Sequence, residues 1–64
     1  VRERPDYYEQ VPDGHQWPGT LKGLLQAMDD CAMASARDSC EYQLTAVRGV
    51  STEVIRVYEN GVQA

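Results

Sequence analysis

Thr20–Asp38 reads TLKGLLQAMDDCAMASARD, and the reading of this stretch decides the fold. Leu21, Leu24, Leu25, Met28, Cys31, Ala32 and Ser35 recur at spacings of three and four, which puts them on one face of a 3.6-residue helix. No β-branched residue follows Thr20 in the stretch, and its alanine-rich second half favours helix locally. Thr20 suits the N-cap, where its hydroxyl accepts from an otherwise unpaired amide. Gly23 stands where a capping box would carry Glu or Gln, and it lowers helix propensity by about 1 kcal/mol relative to Ala. A glycine in the first turn therefore points to a strand or the N-terminal arm crossing closely there. The opposite face carries Lys22, Gln26, Asp29, Asp30, Met33 and Arg37. Met33 is an apolar side chain among charges, and it makes this acidic face a candidate docking surface as well as a solvated one.

Downstream of the helix the period changes to two. Tyr42, Leu44 and Ala46 fall on one face of a strand, and Gln43, Thr45 and Val47 on the other. Arg48–Thr52 reads as a connection, with Gly49 the natural turn residue. Glu53–Glu59 reads as a second strand, with Ile55 and Val57 on one face and Val54, Arg56 and Tyr58 on the other. Strands adjacent in sequence pair as an antiparallel hairpin. Asn60-Gly61 is a strong hairpin-turn signal, and Val62–Ala64 leaves room after it for only a very short edge strand.

Upstream, Tyr7–Val11 reads as a short strand whose polarity does not settle which side is buried. Pro12-Asp13-Gly14 is a turn, and residues 15–19 form a loop into the helix. Trp17 can fold back over Leu21 or Leu24 as a cap on the core, or stand exposed as an aromatic interface anchor. Residues 1–6, VRERPD, read as a flexible arm, with Pro5 barring a central strand position. The whole is a single α+β domain over residues 1–64, one amphipathic helix packed on a small antiparallel sheet in the order β-α-β-β.

Sixty-four residues bury only about 60% of their unfolded surface. The ordering cost is on the order of 100 kcal/mol at roughly 1.5 kcal/mol per residue, and a core this small barely offsets it. There is no phenylalanine. Completion of the core by a partner, or by a second copy in a homodimer or larger oligomer, is therefore favoured over the average chain. The chain begins at Val1 rather than methionine, which suggests processing or a domain fragment.

Ten acids against six bases give a net charge of −4. The imbalance lies in residues 1–41, with eight acids and four bases, whereas residues 42–64 hold two of each. This disfavours nucleic-acid binding through a basic surface; an acidic patch suits a basic partner or mimicry of nucleic-acid phosphates, and a net charge of this size is also ordinary for solubility. No apolar run is long enough to span a membrane. Cys31 sits on the apolar helix face as a buried thiol, and Cys40 lies just past the helix. At about 1.5 Å rise per residue, a continuous helix holds them too far apart to bond. A reducing compartment, the cytoplasm, is the expectation.

Two cysteines and one histidine do not make up a structural zinc site, and no CxxC pair is present. There is no glycine-rich phosphate loop and no calcium-loop spacing. A His15–cysteine pair lacks any local support for thiol activation. The sequence thus reads as non-catalytic, without cofactor or metal. The expected role is protein binding, as an inhibitor or adaptor, through the acidic helix face (Gln26, Asp29, Asp30, Met33, Arg37), Trp17, or the hairpin's outer face and edge (Arg48, Arg56, Tyr58). Two alternatives remain. One is single-stranded nucleic acid on the sheet, through Arg48, Arg56, Tyr42 and Tyr58. The other is a structural subunit of a homo-oligomer.

Overall fold

The computed structural model describes residues 4–64. It is an α+β fold in which a single helix packs on a five-stranded antiparallel sheet. In chain order the elements are β1 (Tyr7–Val11), β2 (Gln16–Pro18), α1 (Leu21–Asp38), β3 (Glu41–Arg48), β4 (Ser51–Glu59) and β5 (Val62–Gln63). The sheet order is β2-β1-β3-β4-β5, with all four pairings antiparallel. The expected order β-α-β-β is present, extended by a short strand at each edge. The stretch read as a loop before the helix is β2, which pairs Trp17 with Tyr8 and Gln16 with Glu9.

The helix begins where Thr20 predicts. The Thr20 hydroxyl accepts from the Gly23 amide at 3.0 Å. It ends at Ser39, whose left-handed φ of 53° turns the chain and lets its amide donate to the Ser35 carbonyl. The buried face is not the leucine stripe. Gly23, Ala27, Cys31, Ala34 and Ser35 face the sheet, while Leu21 and Leu25 are 71% and 58% exposed. The helix is thus rotated roughly a quarter-turn from the orientation its leucines suggest. The reason lies in the sheet, whose side of the core carries Tyr8, Trp17, Leu44 and Tyr58. Large rings rising from the strands leave room only for small residues on the helix. Leu24 and Met28 pack from the flank. A Cβ on Gly23 would run into the Pro18 carbonyl group, so the close crossing expected at this glycine is made by β2.

Within the N-terminal arm, Asp6 donates its amide to the Val47 carbonyl at 2.7 Å and its carboxylate accepts from the Gly49 amide at 2.7 Å, and Pro5 is buried. Residues 1–3 of that arm lie outside the described residues. The alternation expected along β4 is broken by a bulge. Leu44 pairs with Arg56 and Thr45 with Val54, which leaves Ile55 unopposed and packed on the core. Tyr58 pairs with Tyr42 on the Leu44 side of the sheet and is a core residue, 5% exposed, not part of an outer face.

The Asn60-Gly61 turn forms as expected, with φ of 53° and 85°. It is anchored to the helix by Ser35, whose hydroxyl accepts from the Gly61 amide at 2.8 Å and donates to the Ala32 carbonyl at 2.9 Å. No helix among the described residues is long and apolar enough to cross a membrane.

Candidate functional site

The β1–β2 turn leans against the side of the helix that carries Asp30, Met33 and Arg37, and a cleft of about 230 Å³ opens between them. Its walls are Gln10, Asp13, His15 and Trp17 from the hairpin and Asp30, Met33, Ala34 and Arg37 from the helix. Period-two alternation brings His15 beside Trp17, with ring centroids 4.6 Å apart in an edge-on arrangement. Helical spacing of three and four brings Asp30, Met33, Ala34 and Arg37 along one flank.

The polar groups are joined by hydrogen bonds, two of which cross between the hairpin and the helix. The Trp17 indole N–H donates to Asp30 Oδ2 at 3.0 Å, and Gln26 Nε2 donates to Asp30 Oδ1 at 2.9 Å. Gln10 is 3% exposed; its amide nitrogen donates to Asp13 Oδ2 at 3.1 Å, and its oxygen accepts from the Cys31 thiol at 3.3 Å. Every buried polar side-chain atom among the described residues has a partner. Asp30 thus accepts two hydrogen bonds and Asp13 one.

The electrostatics favour cations. Asp13 and Asp30 line the cleft, and Asp29, outside the lining, is exposed on the helix. Arg37 and His15 also line the cleft, and Asp38 binds Arg37 in a bidentate pair of 3.0 and 3.2 Å. The hydrogen bonds from Arg37 and Tyr42 hold the Asp38 carboxyl down at about 2. Burial, and secondarily the Asp30 charge, push the Cys31 thiol up to about 11, which keeps it protonated and inert as a nucleophile. Cys31 and Cys40 are both unbonded, the first buried and the second exposed. Among the described residues no group of three His, Cys, Asp or Glu side chains is placed to hold a metal ion.

No protein-family model matches the chain, and neither a curated protein nor a solved structure matches it.

Of the residues singled out in the sequence, Trp17, Asp30, Met33 and Arg37 meet at this cleft, and Gln26 supports it through Asp30. Asp29 is exposed nearby. Trp17 combines the two readings given to it: it is 6% exposed and belongs to the core, yet it lines the cleft. Arg48, Arg56 and Tyr58 lie elsewhere. Arg48 pairs with Glu53 at 3.3 Å and lines a second hollow of about 260 Å³ at the helix N-terminus. Arg56 donates to the Ile55 carbonyl at 2.8 Å. Asp13, His15 and Gln10 were not among the expected site residues. The one sequence signal for them is the two-residue spacing of His15 and Trp17, which puts both on one side of a strand once β2 is recognised.

Proposed function

We propose that the protein is a small non-catalytic binding module, an inhibitor or adaptor, that docks another protein on the cleft between the β1–β2 turn and the helix flank. The observation that carries this reading is the convergence of Trp17, Asp30, Met33 and Arg37 on one hollow, with Met33 63% exposed at its edge. A preorganised aromatic and two hydrogen-bonded carboxylates beside an exposed thioether form an anchor pocket with an adaptable rim, a combination common at interface hot spots. Unbonded thiols support a reducing compartment, the cytoplasm, as the place of action.

The test is affinity capture from the native host with the wild-type chain and the Met33→Asp variant side by side. A partner retained by the wild type, lost by Met33→Asp and kept by a Leu25→Asp control is the expected outcome. Equal retention by all three baits contradicts the reading.

A second docking mode has its own observation. β5 pairs only with Tyr58 and Glu59, so along Ser51–Arg56 the outer edge of β4 has no neighbouring strand among the described residues. Such an edge accepts an added strand, from a partner or from a second copy of the chain.

A further inference from the structure

We infer that the cleft takes a single arginine side chain presented by the partner; the inference rests on the docking reading above and names its ligand. The first ground is the placement of charge. Asp13 and Asp30 reach the hollow from two different elements, the β1–β2 turn and the helix. Each oxygen known to be occupied accepts one hydrogen bond from Gln10, Trp17 or Gln26. A carboxylate accepts about four, so both retain capacity toward an incoming donor.

The second ground is the rest of the lining. Trp17, Met33 and Ala34 give the hollow apolar and polarisable walls. Guanidinium is planar, weakly hydrated and carries five donors in a fixed fork, which suits carboxylates presented from more than one direction. Ammonium is compact and more strongly hydrated, and loses more on entering such walls. Among the described residues the lining places two carboxylates, Asp13 and Asp30, against one guanidinium, Arg37, which Asp38 already pairs. The third ground is size: about 230 Å³ admits the end of one long side chain and not a drug-sized molecule.

The chain contains one tryptophan, and it lines the cleft, so its fluorescence reports occupancy directly. The probes are N-acetyl-arginine methylamide, the lysine equivalent and the uncharged isostere N-acetyl-citrulline methylamide. The arginine probe is expected to produce a saturable change at millimolar concentration, the lysine probe a weaker one and the citrulline probe none. Added salt should weaken the arginine response. Asp30→Asn and Asp13→Asn keep the shape and the acceptor oxygens that Trp17 and Gln10 use, and each should weaken arginine binding by about tenfold, the loss of one charge-assisted contact.

Citrulline binding as well as arginine, or arginine binding unchanged in both variants, overturns the inference. If the arginine probe fails while Met33-dependent capture of a partner persists, the ligand assignment falls and the docking reading stands. If the arginine probe binds as expected but no partner depends on Met33, the site stands and the protein-docking reading falls.

Discussion

Gly23 shows how tightly the helix is seated. Alanine there gains about 1 kcal/mol of helix propensity but drives a methyl into the Pro18 carbonyl group, which is backbone and cannot swing aside. The expected outcome for Gly23→Ala is a net loss of about 1–3 kcal/mol, read as a fall in thermal midpoint of several degrees. Gly61 behaves similarly for two reasons: its φ is 85°, and a Cβ would lie 2.9 Å from the Ala36 methyl. Cys31 has a pH consequence. Its folded thiol titrates at about 11, above the roughly 8.5 of an unfolded cysteine. The stabilisation this represents is complete below the unfolded value and is lost as pH rises through 11. Urea midpoints should therefore fall between about pH 8.5 and 11, and the fall should shrink in Cys31→Ala. In the native protein a thiol reagent should modify Cys40 rapidly and Cys31 only at the rate of opening. Asp38 is the opposite case: its contribution is present above the ordinary carboxylate range and disappears as pH falls through about 2. Tyr42→Phe should raise the Asp38 titration midpoint measured by NMR, since the phenol hydroxyl donates to that carboxylate.

At the scale of elements, the helix was legible in its limits but not in its rotation. Thr20 as cap, the absence of β-branched residues and the period change at Tyr42 are local signals, and local physics sets them. The rotation is decided by tertiary packing: strands carrying Tyr8, Trp17 and Tyr58 admit Gly23, Ala27 and Ala34 beneath the helix axis and expel Leu21 and Leu25. Hydrophobicity alone ranks leucine above glycine and so points to the wrong face. The β4 bulge is equally silent in sequence, because alternation continues through Ile55 and Arg56 and only the pairing with β3 reveals the extra residue. The strand β2 was hidden because three residues containing a proline carry too little period. For the cleft, its helix wall was readable from the acidic face and Met33, whereas its hairpin wall depended on β2. Thr20→Ala should cost about 1 kcal/mol through loss of the cap bond to the Gly23 amide, measured by urea denaturation. Among exposed apolar residues, Val54 is 50% exposed on the open stretch of β4. If the edge mediates self-association, sedimentation velocity should show a concentration-dependent dimer that Val54→Lys abolishes.

The molecule as a whole is small, with nine buried hydrophobic residues among those described and a few flanking ones. A domain of this length is stable by only about 3–10 kcal/mol, so each substitution above moves a large share of the total. The polar bonds of the cleft link hairpin and helix, and filling the cleft should raise the thermal midpoint by mass action. The surface between the β1–β2 turn and the helix is proposed as the place where this protein meets its ligand. The most direct test is a two-dimensional amide NMR titration of the intact chain with N-acetyl-arginine methylamide. Shifts concentrated at the Trp17 indole N–H and at the amides of Asp13, His15, Asp30 and Met33 are the expected result. An unperturbed Trp17 indole, with shifts confined to the β4 edge or the helix-distal face of the sheet, would contradict it.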